Sequence, residues 1–198
     1  MYNKVVKRAI DIVLSLCGII VLSPVFLALV IAIKLESKGP VLFKQKRIGI
    51  HKTHFDILKF RTMKIDTPKD CPTHLLKNPE QYITKVGKFL RKTSLDELPQ
   101  IFNILSGKMS IIGPRPALWN QYDLCDERDK YGANDVRPGL TGWAQINGRD
   151  ELEIDVKAKL DGEYVQKLSF VFDVKCFWGT IVSVLKSDGV KEGGTGGK

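Results

Sequence analysis

The longest uninterrupted apolar run lies near the start of the chain, where residues 12–33 read IVLSLCGIIVLSPVFLALVIAI without a charge. As a straight helix this run reaches roughly 33 Å, enough to cross a hydrocarbon core of about 30 Å. Lys4, Lys7 and Arg8 precede it like the basic region of a secretory signal, but the run is too long for one. Lys34-Leu-Glu-Ser-Lys38 also offers no small-residue cleavage site. The pattern therefore predicts a retained membrane helix. Ser23-Pro24 sits at its middle, where proline removes one backbone hydrogen bond and crowds the carbonyl four residues earlier. Basic residues flank both ends: Lys4, Lys7 and Arg8 before, then Lys34, Lys38, Lys44, Lys46 and Arg47 after. The positive-inside tendency holds both flanks on the cytoplasmic face. A helix that breaks at Ser23-Pro24, dips into the bilayer and returns satisfies both observations. A kinked helix that simply crosses remains the open alternative.

Beyond the anchor the apolar runs shorten. Residues 40–45 and 55–60 read as strands joined by a hairpin turn over 48–53. Residues 63–79, with three prolines, read as a loop, and 81–90 and 98–105 as helices. Gly113-Pro114-Arg115-Pro116 is a rigid turn, because each proline fixes its own φ and restricts its predecessor. The glycine-rich stretch 137–149 has the irregularity of a binding loop. Over 170–185 a helical period returns. Asp173, Cys176, Thr180, Ser183 and Ser187 form a narrow polar stripe, opposite a wide apolar side of Phe170, Val174, Phe177, Trp178, Ile181 and Leu185. Both a core helix and an interfacial helix with Trp178 at headgroup level fit that pattern.

Composition narrows the setting. The 198 residues suit one domain, or one domain plus an anchor, and a 43% hydrophobic share with 27% charged residues supports a packed core. The formal net charge of +9 suits an anionic partner: nucleic acid, a membrane surface or a phosphorylated substrate. No helix-turn-helix, RRM or zinc-finger pattern supports nucleic acid. Cys17, Cys71, Cys125 and Cys176 are scattered without a CxxC pair, which points to a reducing compartment. His51-x-x-His54 with Cys71-x-x-His74 could supply four zinc ligands, but the spacing matches no metal module, and solvent-facing loop residues are the better reading.

The chemistry-bearing candidates centre on Ser94-Leu-Asp-Glu97. Taken alone, the segment reads first as a capping box, with Ser94 capping a helix and Glu97 reaching back. Read as chemistry, the carboxylates of Asp96 and Glu97, with Lys88, Arg91 and Lys92 nearby in sequence, could hold a divalent cation and attack phosphorus. Lys59, Arg61, Arg91, Arg115, Arg137 and Arg149 sit beside turns or rigid segments rather than along one solvated helix face. Phosphoryl transfer needs such cations, and guanidinium groups match phosphate with paired donors. Anchor, cations and acidic pair together indicate phosphate chemistry at a bilayer surface.

Several long motifs, in order, resemble the bacterial sugar transferase family in its small monotopic form. They are Lys7-Arg-x-x-Asp11, Ser23-Pro24, Lys59-Phe-Arg-Thr-Met63, Arg91-Lys-Thr-Ser-Leu-Asp-Glu-Leu-Pro-Gln-Ile-Phe-Asn103, Met109-Ser-Ile-Ile-Gly-Pro-Arg-Pro116, Val136-Arg-Pro-Gly-Leu-Thr-Gly-Trp-Ala-Gln-Ile-Asn-Gly-Arg149 and Ser187-Asp-Gly-Val-Lys-Glu192. The resemblance implies an α+β fold. A re-entrant helix over 1–37 would carry a mostly helical catalytic domain over 38–190, with a small β-hairpin and interfacial amphipathic helices, and a flexible tail over 191–198. It implies that Asp96 attacks the β-phosphate of a UDP-sugar, releases UMP and passes the phosphosugar to polyprenyl phosphate, with undecaprenyl phosphate the expected carrier. Glu97 takes the second acidic position, at the metal or in proton handling, and Mg2+ is the expected ion on Asp96 and Glu97. Lys59, Arg91 and Arg115 match the phosphate-binding cations, Pro116 lies beside the nucleotide, and Asn147 and Arg149 are carried over as uridine contacts. The setting is the cytoplasmic face of the inner (plasma) membrane, and the product feeds exopolysaccharide or other glycoconjugate synthesis. N-acetylated hexosamines and bacillosamine relatives come first as the sugar, with galactose or glucose behind. A homo-oligomer is admitted but not specified. Two segments depart from the pattern, residues 66–80 and the short glycine-rich tail. The rival from another class is a membrane-tethered basic module that binds anionic lipid or nucleic acid without catalysis.

Overall fold

The computed structural model describes residues 2–67, 79–148 and 152–186. The N-terminal apolar run forms one helix, α1 (Lys7–Glu36), preceded by a π-helical turn over Tyr2–Val6. Ser23 and Pro24 lie inside it, and the Ser23 hydroxyl donates to the Ile20 carbonyl at 2.8 Å. The buried residues of α1 lie on one stripe and toward its two ends: Lys7, Asp11 and Ser15 in the first half, Leu29 and Ile33 in the second. The other faces leave Leu14, Ile20, Val21, Leu27 and Ile31 exposed, so this helix is long and apolar enough to cross a membrane.

Both ends of α1 are tied down by polar contacts. Lys7 pairs with Asp173 at 2.6 Å, Arg8 donates to the carbonyls of Ile104 and Leu105, and Asp11 accepts from Ser110 and the Ile111 amide. At the far end the Glu36 carboxylate accepts from the Lys85 and Val86 amides, placing an anion at a helix start whose dipole favours it. Phe26, Leu29 and Ile33 pack with Phe60, Leu90, Leu95 and Leu98.

The expected hairpin is present as β1 (Leu42–Ile48) and β2 (His54–Phe60), antiparallel with Phe43 opposite Lys59. Two helices follow, α2 (Lys85–Lys92) and α3 (Gln100–Leu105), each beginning later than the sequence suggests. Thr84 caps α2 by accepting from the Gly87 amide, so the preceding residues stay outside the helix. A second sheet, unforeseen, pairs β3 (Ser110–Ile112) in parallel with β4 (Gly139–Thr141). Between these strands lies α4 (Tyr122–Asp129), and after them come α5 (Trp143–Ile146), α6 (Ile154–Gln166) and α7 (Phe170–Lys186). The architecture is mixed helix and sheet, as expected.

The structure decides one open question about α7. Its polar stripe faces inward: Asp173 and Cys176 are buried, and Thr180 bonds the Thr141 hydroxyl at 2.8 Å. Its apolar side faces outward, with Phe170, Val171, Phe177 and Trp178 exposed. α7 therefore packs on the core through its polar stripe and Phe172, with its wide apolar side outside. The helix is amphipathic with its polar side anchored. The flexible tail, most of the loop over 66–80, Cys71 and His74 lie outside the described residues.

Candidate active site

The acidic pair sits on a short turn between two helices. α2 ends at Lys92, and Ser94 follows in the left-handed conformation at φ 56°. A left-handed residue just past a helix end is a common way to reverse the chain, though glycine usually fills it. The backbone then makes a 3-10 turn, Leu95–Glu97, running into α3. Leu95 and Leu98, three apart and partly buried, pack with residues of the second half of α1, which leaves Asp96 and Glu97 on the other, mostly buried side of the turn. The capping-box expectation fails here. Ser94 makes no side-chain cap, because its φ lies in the wrong region, and Glu97 turns to cations instead of reaching back.

Those cations come from distant segments. Lys59, near the end of β2, donates to Glu97 Oε1 at 2.8 Å. Arg115, on the turn after β3, donates to Oε1 at 2.7 Å and lies 3.4 Å from Oε2. The side chains of Lys59 and Glu97 are 17% exposed and that of Arg115 31%, so the cluster is held yet open to an incoming anion. Burial would raise the Glu97 pKa, but the Arg115 and Lys59 charges outweigh it and hold this carboxyl far below the usual range.

Asp96 stands in the opposite condition. Burial raises its pKa, the Glu97 charge adds to that, and Lys59, Arg91 and Arg115 pull it partly back. Among the described residues no hydrogen bond or ion pair engages its carboxylate. Arg91, in the last turn of α2, donates to the Thr62 hydroxyl at 2.9 Å. A Cβ on Gly87 would lie 2.0 Å from the Thr62 carbonyl, so only glycine lets α2 settle this close. One helical turn later, that approach brings Arg91 beside Thr62. Lys88 and Lys92 point to solvent and take no part.

The remaining candidates divide. Pro116 is buried in the Arg115 turn, and its carbonyl accepts from Arg47 at 3.0 Å. Asn147 closes α5 by donating to the Trp143 carbonyl at 2.7 Å. No contact among the described residues joins it to the acidic pair, although its loop packs on the Arg115 turn. A Cβ on Gly142 would lie 2.1 Å from the Gly113 carbonyl. Arg149 lies outside the described residues. Arg61 is structural: it donates to the Ser37 and Lys38 carbonyls just past α1. Arg137 likewise donates to the Gly107 carbonyl. Sequence reasoning missed Asn103, whose amide bonds the Leu58 amide and the Asp56 carbonyl, knitting α3 to the strand that carries Lys59. A buried asparagine inside a helix was the available signal.

The donor set fits magnesium in part. Among the described residues no three His, Cys, Asp or Glu converge. Magnesium retains waters and takes one or two carboxylates plus substrate phosphates. Asp96, which has no hydrogen-bond or ion-pair partner among the described residues, fits that pattern, whereas both Glu97 oxygens face cations. Of the four zinc candidates, His51 pairs with Asp135 at 3.0 Å, His54 is exposed on β2, and Cys71 and His74 lie outside the described residues.

Comparison with known proteins identifies relatives of the whole chain. The family described as bacterial sugar transferase matches residues 2–187. A UDP-glucose:undecaprenyl-phosphate glucose-1-phosphate transferase of Escherichia coli is 43% identical over 187 residues, covering 90% of this chain and 40% of that protein. An uncharacterized sugar transferase, EpsL, of Bacillus subtilis is 38% identical, covering 95% of this chain and 91% of its own length. A UDP-N-acetylgalactosamine-undecaprenyl-phosphate N-acetylgalactosaminephosphotransferase of Aeromonas hydrophila is 37% identical, covering 94% and 45%. The chain thus spans less than half of two of these relatives and nearly all of the third.

Proposed function

The chain belongs to the bacterial sugar transferase family, and on that premise we propose that it moves a sugar-1-phosphate from a UDP-sugar to polyprenyl phosphate, releasing UMP. The observation that carries this reading is the contrast within the acidic pair. Glu97 is held by two cations, while the Asp96 carboxylate beside it has no hydrogen-bond or ion-pair partner among the described residues and lies within the field of the same cations. That is the arrangement a carboxylate nucleophile for phosphorus needs.

In the first step an Asp96 oxygen bonds the β-phosphorus and the bond from that phosphorus to the bridging oxygen breaks. UMP leaves with the electron pair. In the second step a polyprenyl phosphate oxygen attacks the same phosphorus, and the Asp96 oxygen departs with its electrons. Lys59, Arg91 and Arg115 offset the charge gathering on the phosphate oxygens, and Glu97 holds two of them in place. A magnesium ion on Asp96 and the diphosphate would add positive charge at the leaving oxygens. The relatives' names differ in the sugar, glucose in one and N-acetylgalactosamine in another, so the substrate class is a UDP-hexose or UDP-N-acetylhexosamine.

The membrane reading follows the same logic. Both ends of α1 touch one domain, through Lys7 and Asp11 at one end and Leu29, Ile33 and Glu36 at the other. A straight helix this long measures about 45 Å and would carry one end across the bilayer, away from a domain on the near side. A helix that turns at Ser23-Pro24 and returns keeps both contacts, with α7 lying in the interface on its exposed apolar side. The catalytic domain then sits on the cytoplasmic face, where nucleotide sugars are.

The test is UMP release by the full chain in lipid nanodiscs, with a panel of UDP-sugars and polyprenyl phosphate. Release with one or a few of the sugars, and a phosphosugar adduct on the peptide containing Asp96 when the acceptor is left out, are expected. No release from any UDP-sugar would refute the proposal.

A further inference from the structure

Arg115 acts only if its guanidinium stays aimed at Glu97 and the substrate, and the turn that carries it has few amides to fix it. Pro114 and Pro116 have no N–H, so this segment is held through its carbonyls. Four consecutive carbonyls are each bonded, from three different elements. Pro114 accepts from the Gly139 amide at 2.8 Å, Arg115 from Arg128 at 2.9 Å, Pro116 from Arg47 at 3.0 Å, and Ala117 from the Ile48 amide at 2.9 Å.

The Arg115 carbonyl is held by an unusual donor. Arg128, on α4, is 4% exposed and donates from Nε and Nη2 to Asp161 Oδ2 at 2.8 and 2.6 Å, while Nη2 also reaches the Arg115 carbonyl. Asp161, on α6, is 1% exposed, and its Oδ1 finds no partner among the described residues. A buried ion pair with an unsatisfied oxygen is poor value for stability, since apolar residues of similar volume usually do as well. What apolar residues cannot do is hold a carbonyl. Resting on the reading of Arg115 as a phosphate-binding cation, we infer that Arg128, oriented by Asp161, is a positioning residue for Arg115. It fixes the backbone from which the guanidinium reaches Glu97.

Breaking the pair by Arg128→Ala alone leaves Asp161 buried without a partner and risks the fold. The informative variant is therefore Arg128→Met with Asp161→Leu, which removes both charges at similar volume. In the full chain in nanodiscs, thermal stability is expected to hold while kcat for UMP release falls about 100-fold, the scale of a catalytic group misplaced by about 1 Å. Adding Arg115→Lys should then cost no more than the worse of the two changes alone, because both act through one guanidinium. Amide hydrogen exchange at Gly139 and Ile48, whose amides bond the Pro114 and Ala117 carbonyls on either side of Arg115, gives a readout independent of turnover. It is expected to quicken in the double variant, with α4 and α6 unchanged. Unaltered exchange at these amides, unaltered kcat in the stable double variant, or losses that multiply with Arg115→Lys would each overturn the inference. Failure of the wild-type chain to release UMP would instead count against the proposed function, with exchange still judging the positioning role.

Discussion

Replacing Asp96 by Asn and Glu97 by Gln separates chemistry from scaffolding, because the two neighbouring carboxylates stand in opposite environments. Asp96 engages no partner among the described residues and has its pKa raised, chiefly by burial. A raised folded-state pKa means that the ionised form opposes folding near neutrality, so an amide should leave the melting temperature unchanged or slightly higher. Turnover should fall by about 10⁴-fold or more, since a carboxamide is a poor nucleophile for phosphorus.

Glu97→Gln should show a different balance. The Glu97 pKa is held well below the usual range by Arg115 and Lys59. Its stabilising contribution is fully present above the unfolded carboxylate range and is lost only as pH falls through the low folded value. Glutamine forfeits that contribution at every pH and leaves two cations facing each other. With side chains 17–31% exposed, the cost is about 2–4 kcal/mol, at or below that of breaking a fully buried pair. For a chain this size that lowers Tm by about 4–16 °C. The assays are melting in nanodiscs and UMP release at fixed folded enzyme. Wild-type-like turnover in Asp96→Asn would refute the nucleophile, and unchanged melting in Glu97→Gln would refute the clamp.

Three more expectations follow from the same contacts. The kcat/KM profile should lose activity, as pH falls, above the ordinary aspartate range, and Arg91→Ala should move that limb higher by removing a charge that favours ionised Asp96; a limb that moves down contradicts the assignment. Single cysteines at positions 4 and 38, in a background without native cysteines, should both label from the cytoplasmic side only, and labelling of position 4 from the opposite face would favour a simple crossing. Arg61→Ala should lower Tm by a few degrees while sparing kcat per folded molecule, because Arg61 bonds carbonyls past α1; a selective loss of kcat would return Arg61 to the active site.

The site was legible in sequence where chemistry dictates residue type. Lys59, Arg91, Arg115, Asp96 and Glu97 were among the candidates that charge and rigid neighbours offered, the family resemblance singled them out, and the fold brings them together. What sequence did not supply was the contact of Glu97 with two cations, Lys59 and Arg115. Ser94-x-x-Glu97 satisfies a capping pattern, and only the left-handed φ at Ser94, imposed by the reversal after α2, rules it out. Arg61 and Arg137 show the converse error. An arginine beside a turn reads as a ligand for anions, yet here each serves backbone carbonyls, which ask for the same donors.

The elements missed have separate causes. α4 and α6 carry buried charges at Arg128 and Asp161, so the polar positions that usually mark solvent mark their shared interface. The strands β3 and β4 are three residues each, too short for an alternation to register. α7 shows why periodicity without orientation stops short. Its polar stripe was read correctly, but the stripe points inward to Thr141, Tyr164 and Lys7, and its apolar side points out. For a helix in water that arrangement would bury the wrong face. It becomes favourable if the outside is lipid, and α1, with one polar-ended stripe on the protein and apolar residues elsewhere, follows the same inverted rule. Two helices inverted in the same sense make a common apolar surroundings a more economical account than two separate exceptions, and Asp173 physically couples them by accepting from Lys7 of α1.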